Sequence, residues 1–233
     1  MSNSCFSFKK FSVCQEACAM KVGMDGVLLG SWVRIPPNIT SILDVGTGTG
    51  LLALMLSQRC QVSVTAIELD AAAAAQASEN VSRSPWSSTI KVLQGDFLRM
   101  SEEQKFDLIV SNPPYYKETL KSGNMQRAMA RENDSLSYAG LMSKASCLLS
   151  DTGCFSIIIP AVYESALRAL AVEYGLYINR FTQVKTKTDK PVKRILFEMG
   201  RIDSVCENSV LVLLDEQGNR STGYETLTSA YYL

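Results

Sequence analysis

From residue 41 onward, short runs rich in β-branched residues alternate with longer stretches of helical pattern, and that alternation admits few folds. Parallel strands need long crossovers, usually helices, so the pattern predicts a mostly parallel sheet with helices on both faces. Strands are expected at Ser41 to Gly46, Val62 to Leu69, Ile90 to Gln94, Phe106 to Ser111 and Phe155 to Ile159. Helices are expected at Leu51 to Ser57, Ala71 to Ser82, Leu136 to Leu149 and Val162 to Tyr174. The end of the chain changes character. Arg180 to Lys185, Arg194 to Met199 and Val210 to Leu214 read as strands with polar connections, an antiparallel edge rather than another crossover, and Asp215 to Gly218 as a turn.

Two stretches lack a clear period: residues 1 to 40, and Tyr116 to Asp134 with Lys117, Lys121, Arg127 and Arg131. The second is too long for a casual connection, and irregular segments of that length are commonly lids or binding loops.

The 233 residues carry 23 basic and 23 acidic side chains and no histidine. A general affinity for nucleic acid is therefore not expected, and any RNA contact has to come from a local patch. Triads built on His and zinc sites that use His are excluded, and no metal is expected. Seven cysteines are odd in number and form no C-x-x-C pair, so all are expected as reduced thiols. With a polar start from Met1 to Lys10 and no apolar run approaching about 20 residues, neither a signal peptide nor a spanning helix is expected. A cytoplasmic protein follows from that reading.

Asp44-Val45-Gly46-Thr47-Gly48-Thr49-Gly50 stands between the first strand and its helix, where glycines let a ligand approach the backbone. A dinucleotide fingerprint would read G-x-G-x-x-G, whereas here G-x-G-x-G follows an acidic residue that would repel a phosphate. Glu68 falls at the end of the second strand, 22 residues after Gly46, where a carboxylate can accept from both hydroxyls of a ribose. Asp70 suits the N-cap of the helix that starts at Ala71. Gly95-Asp96-Phe97 ends the third strand. The loop resembles the first motif of class I methyltransferases, whose cofactor, S-adenosylmethionine, has no phosphate and carries an ammonium and a sulfonium. That resemblance implies a Rossmann-like sheet, with Asp96 accepting from the adenine amino group and Phe97 beside the ring.

Ser111 ends the fourth strand, Asn112-Pro113-Pro114-Tyr115 follows it, and the composition of that segment suits methylation of an exocyclic amine conjugated to a ring. Such a nitrogen is a poor nucleophile because its lone pair is delocalised, and acceptors at its two N–H groups draw it toward a pyramidal shape. Asn112 Oδ1 is one acceptor. The second is the carbonyl of Pro113, fixed because proline sets φ and Pro114 holds Pro113 extended. Tyr115 supplies a stacking face. Enzymes acting on adenine N6, on guanine N2 and on glutamine side chains all carry this segment or close relatives, so the segment itself leaves the substrate open.

Phe8-Lys9-Lys10-Phe11-Ser12-Val13, Ala19 to Trp32, Ala130-Arg131, Lys193 to Glu198, Tyr224 to Thr228 and Tyr231-Tyr232-Leu233 narrow the choice. Together they resemble the bacterial valine-tRNA adenine-N6-methyltransferase family across nearly the whole chain, with Met24 where that pattern usually holds Thr. The resemblance implies methylation of N6 of the adenosine at position 37, in the anticodon loop of valine tRNA. It also implies a segment 1–40 that covers cofactor and substrate, with Lys21 and Asp25 as its polar contacts, on a methyltransferase domain 41–233 within one structural unit. Pro114, Tyr115, Lys117, Lys121 and Arg131 would bind the RNA, with Lys9, Lys10, Arg127, Lys185, Lys187, Lys190, Lys193 and Arg194 as further candidates for its phosphates. A monomer is expected. Val27, Leu28, Leu29 and Trp32 are packing residues by their helical spacing. A glutamine methyltransferase usually carries an N-terminal helical domain, for which the 43 residues before Asp44 leave little room. A non-catalytic RNA-binding module is the remaining alternative, opposed by the intact Asn112, Asp44 and Glu68.

Overall fold

The structure, a computed structural model, describes residues 5–18, 21–114 and 136–233. Ten strands run β1 Cys5–Ser7, β2 Ser12–Cys14, β3 Ser41–Val45, β4 Ser63–Glu68, β5 Ile90–Gln94, β6 Phe106–Ser111, β7 Leu149–Pro160, β8 Tyr177–Lys185, β9 Val192–Gly200 and β10 Glu207–Val212. The described helices are α1 Met24–Trp32, α2 Leu51–Ser57, α3 Ala71–Ser82, α4 Tyr138–Leu148, α5 Glu164–Glu173 and α6 Thr222–Thr228.

Eight strands form one sheet in the order β10-β8-β9-β7-β6-β3-β4-β5. Its strands alternate between two cores. Ile42, Leu108, Val110 and Ile158 face the layer built by α1, α2 and the chain ends, whereas Leu43, Ile109, Ile157 and Ile159 face α4 and α5. Both faces are covered, which explains strands that read as nearly continuous apolar runs.

The C-terminal edge departs in one respect from the expectation. β9 pairs antiparallel with β7 and β8, but β10 pairs parallel with β8. β9 ends at Gly200 opposite Tyr177, the start of β8, so the short link that follows delivers β10 to the same end of the sheet. β10 then has to run in the direction of β8.

The N-terminal stretch without a period contains a two-stranded hairpin, β1 with β2, and then α1. The expectation that all cysteines are free thiols is corrected here. Cys5 and Cys14 face each other across the hairpin, with Cα atoms 3.9 Å apart, and form a disulfide. Cys18, Cys60, Cys147, Cys154 and Cys206 are free. The last residues close over this hairpin: Tyr231 Oη donates to the Met55 carbonyl at 2.9 Å, and the Phe8 and Tyr232 rings stack at 6.2 Å. The aromatic C-terminus is therefore a packing element.

α1 presses on α2 so closely that a Cβ at Gly30 would stand 2.7 Å from Met55 Sδ. Val27, Leu28, Leu29 and Trp32 are buried, as their spacing predicts. Among the described residues no helix is long and apolar enough to cross a membrane, and no group of His, Cys, Asp and Glu is placed to hold a metal.

Candidate active site

In an open parallel sheet, loops at the carboxyl ends of adjacent strands share one edge, and ligands bind there. β6, β3, β4 and β5 are consecutive in the sheet, so Asn112, Gly46 to Gly50, Glu68 and Asp96 line that edge in this order. At about 4.8 Å per strand the row spans about 14 Å. Backbone bonds tie neighbouring loops together: Gly46 and Thr47 N–H donate to the Ile67 carbonyl at 2.9 and 3.1 Å, and Gly95 N–H to the Glu68 carbonyl at 2.8 Å.

The glycine loop is built to leave space. Gly46 and Gly48 have φ of +68° and +56°, and a Cβ at either would meet nothing within 4 Å. A side chain is therefore excluded by the backbone conformation, and the empty volume above the loop is open to a ligand. Asp44 lies beneath it, fully buried. Its Oδ2 accepts from Thr47 Oγ1 at 2.5 Å and from Ala53 N–H at 3.1 Å, while Oδ1 has no hydrogen-bond partner among the described residues. Burial pushes this carboxyl up to about 7, against the two hydrogen bonds.

Glu68 Oε2 accepts from Gly48 N–H at 2.9 Å and Oε1 from Asp70 N–H at 3.0 Å. Each oxygen keeps a further lone pair, and the carboxylate is fixed against the loop it serves. Asp70 caps α3 through Ala73 N–H at 2.8 Å, as its side-chain length predicts. Asp96 caps the short 3-10 turn Phe97–Arg99 through Leu98 N–H at 2.9 Å and pairs with Arg99 at 3.4 Å. Phe97 is buried in the core below that turn.

The reacting end stands beside the loop. Val45 and Ser111 are register partners, and Ser111 Oγ donates to the Val45 carbonyl at 2.9 Å, so Asn112 emerges next to Gly46. Helix α1 closes the other side, where a Cβ on Gly26 would lie 3.8 Å from Asn112 Nδ2 and 2.9 Å from Leu51 Cδ2. A side chain there would have to displace the tip of Leu51. Pro113 is buried and Pro114 exposed. Tyr115, Lys117, Lys121, Arg127 and Arg131 lie outside the described residues.

The segment before α1 bends over the ribose side of the row. Gln15 Oε1 accepts from Val22 N–H at 2.7 Å, which brings these two residues together. Asn80 of α3, 1% exposed, accepts from Cys14 N–H and donates to the carbonyls of Cys14 and Thr49, all at 2.8 Å. One side chain thus ties the hairpin to the glycine loop. The Cys18 thiol is pushed up by burial and then by the charges of Glu68 and Asp70, which places Cys18 close to both carboxylates. Lys21 is exposed, and Asp25 accepts from Arg194 Nε of β9 at 2.9 Å. Asp25 therefore meets β9, not only the row of site residues.

Ser111 and Asn80 were not singled out from the sequence. A signal existed for Asn80: Ala73, Ala77 and Asn80 share the buried face of α3, and a polar group on such a face needs partners. Ser111 had none, because only the sheet order brings it to Val45.

The donor set suits S-adenosylmethionine: an unpartnered buried carboxylate oxygen for a cation, a cradle that a Cβ would fill, and carboxylates at the ends of the second and third strands. Comparison with known proteins decides the family. The model of the methyltransferase small domain matches residues 29–157. A tRNA1(Val) (adenine(37)-N6)-methyltransferase of Bacteroides fragilis is 45% identical over 100% of this chain and 99% of its own length. The chain belongs to this methyltransferase family. The homologue of the same name from Pseudoalteromonas translucida is 41% identical, with 98% of each chain covered. Among solved structures, a predicted O-methyltransferase from Agrobacterium tumefaciens superposes with a TM-score of 0.68 at 18% identity, over 89% of this chain and 96% of that one. A glycopeptide N-methyltransferase complexed with S-adenosylmethionine gives 0.56 at 15% identity, over 76% and 95%. At those identities the likeness speaks for the fold, and the α/β methyltransferase sheet is shared. Family membership makes the chain an enzyme that transfers methyl groups.

Proposed function

We propose that this enzyme transfers the methyl group of S-adenosylmethionine to N6 of the adenosine at position 37 in the anticodon loop of valine tRNA. The observation that carries the reading is the Ser111–Val45 tie, which sets Asn112 beside the glycine loop, in a chain whose relatives at 45% identity are named for that reaction. When bound, S-adenosylmethionine supplies an electrophilic methyl carbon on a positively charged sulfur. The residues of the chain hold and align. Glu68 would accept from the ribose, Asp96 from the adenine of the cofactor, and the Asp44 carboxylate, beneath the glycine loop, would counter its cationic amino-acid end.

Asn112 Oδ1 and the Pro113 carbonyl accept the two N–H groups of the target amine and draw it out of conjugation. No side-chain base is required, since Asn112 is neutral and the methylated nitrogen sheds its extra proton to water. Alignment of the two reactants contributes up to about 7 to 11 kcal/mol in favourable systems. Tyr115 stacks on the extruded adenine, and Lys117, Lys121 and Arg131 contact RNA. Residues 1–40 act as the cover over cofactor and substrate, and 41–233 as the methyltransferase domain of one unit, working as a cytoplasmic monomer.

Comparing nuclease digests of tRNA incubated with and without the enzyme tests the substrate. N6-methyladenosine in the anticodon loop of valine tRNA is expected. Methyl groups found only on guanine, or only on protein glutamine, would overturn the assignment.

Asp44 gives this reading a pH dependence. Its carboxyl stands at about 7 in the folded chain against 3.8 as a free group, so the folded state disfavours its charge, at a cost that grows from pH 3.8 and levels off above 7. A cation beside Oδ1 favours the carboxylate, so cofactor binding releases a proton below that point. Affinity for S-adenosylmethionine, measured calorimetrically, is expected to tighten as pH rises toward 7, by up to about tenfold per unit, and then to level off. Asp44→Asn is expected to flatten the curve. A flat profile for the unsubstituted enzyme contradicts the role given to Oδ1.

A further inference from the structure

A second recess opens at the start of α1. It is a groove of about 320 Å³ between the start of α1 and the β8–β9 hairpin. Leu28, Val184 and Leu213 are buried and form its floor, and Met24, 50% exposed, forms one lip. The opposite wall is polar: Arg194 bonds Asp25, and Lys193 stands exposed next to it. Its location follows from the topology. β8 ends at Lys185 and β9 starts at Val192, at the same end of the sheet as the carboxyl ends of β7 and β6. Gly26, two residues after Met24, touches the space of Asn112.

The charge around this groove is not typical of the molecule. The chain as a whole has equal numbers of acids and bases. Between residues 185 and 194 it places Lys185, Lys187, Lys190, Lys193 and Arg194 against the single acid Asp189. Lys190 pairs with Asp189 at 3.2 Å, whereas Lys185 and Lys187 reach only backbone carbonyls and, like Lys193, make no ion pair among the described residues. A slot with an apolar floor, edged by Lys193, which makes no ion pair among the described residues, and by Arg194, presents what a nucleotide needs: a surface for the ring and a counter-charge for the phosphate.

We propose that this groove holds the nucleotide adjoining the target adenosine, its base against Met24 and the Leu28–Leu213 floor and its phosphate on Lys193 and Arg194. The inference rests on the reading of the substrate as RNA. It makes the α1 start and the β8–β9 hairpin the part of the site that senses what flanks the methylated base. Asp25 holds Arg194 at the groove mouth until a phosphate competes for it.

Steady-state kinetics with valine tRNA, together with cofactor affinity by calorimetry, test this. For Lys193→Ala the dependence of log KM for tRNA on log salt is expected to become shallower by about one unit, as befits one lost phosphate contact, with cofactor affinity retained. Lys91→Ala on β5, at the far edge of the sheet, is expected to leave that slope where it stood. An abasic nucleotide placed on either side of the target adenosine in turn is expected to cost the unsubstituted enzyme about tenfold in kcat/KM on one side only. Met24→Glu, a change at a half-exposed position, is expected to cost a similar factor with intact tRNA and to lose nothing further with that abasic RNA. Additive penalties, or an unaltered salt slope in Lys193→Ala, overturn the groove assignment. Failure of the unsubstituted enzyme to methylate any tRNA instead overturns the reading of the substrate, so the two failures are distinguishable.

Discussion

Asn112→Ala is expected to lower methyl transfer to tRNA by at least about 10²- to 10³-fold while leaving the affinity for S-adenosylmethionine within a factor of about two. The first number is the scale on which removing one aligned hydrogen-bonding group from a reacting centre slows an enzyme. The second follows from the layout of the edge. Asp44, the glycine loop, Glu68 and Asp96 belong to three other strand ends, and their backbone ties run through Ile67 and Glu68. Asn112→Asp keeps an acceptor at the same place and is expected to retain more activity than the alanine form. Single-turnover transfer of labelled methyl, with cofactor binding measured in parallel, separates the effects. Equal losses in cofactor binding and turnover would show that Asn112 holds the cofactor and does not act on the amine.

Glu198→Gln is expected to destabilise the fold by about 3 to 5 kcal/mol. Glu198 of β9 pairs with Arg180 of β8 at 3.0 Å, with side chains 7% and 14% exposed. Arg180 is held from two further sides. Its guanidinium lies 3.6 Å from the centroid of Trp32 and donates to the Trp32 carbonyl at 2.8 Å. Burial pulls the basicity of Arg180 down and Glu198 restores part of it, so removing that carboxylate leaves a buried cation whose remaining acidic neighbour, Glu207, is exposed and already paired with Arg34. For a chain of this length each kcal/mol moves the melting temperature by about 2 to 4 °C, so a fall of roughly 10 °C is expected by calorimetry. The double change Glu198→Leu with Arg180→Met is expected to be milder than the single one, because no charge is then stranded. A melting temperature unchanged in Glu198→Gln would mean that water reaches the pair.

The sequence reading located the strand ends well and the contacts among them poorly. Asp44, Gly46, Gly48 and Glu68 were legible because their signals are local: a glycine needs positive φ, and an acid at a strand end faces the ligand edge. Asp70 as an N-cap was legible for the same reason, since the bond to Ala73 spans three residues. That Phe97 packs into the core was not legible, because a 3-10 turn capped by Asp96 sets its burial. The Cys5–Cys14 disulfide was missed because its hairpin is too short to show an alternating pattern. Asn80 and Ser111 bridge elements 66 and 31 residues apart, and no periodicity reports on such pairs.

What the sequence by itself determined is the chemistry of each strand end: a cation-tolerant glycine loop, a carboxylate for a ribose, and an amide with two prolines for a planar amine. These depend on backbone freedom and side-chain type over a few residues. Only the tertiary structure decided that the four ends stand side by side, that α1 reaches Asn112 through Gly26, and that β10 runs parallel to β8. The physical reason is that sheet order and helix approach are fixed by burying two apolar faces at once, a property of the whole chain that no single segment carries.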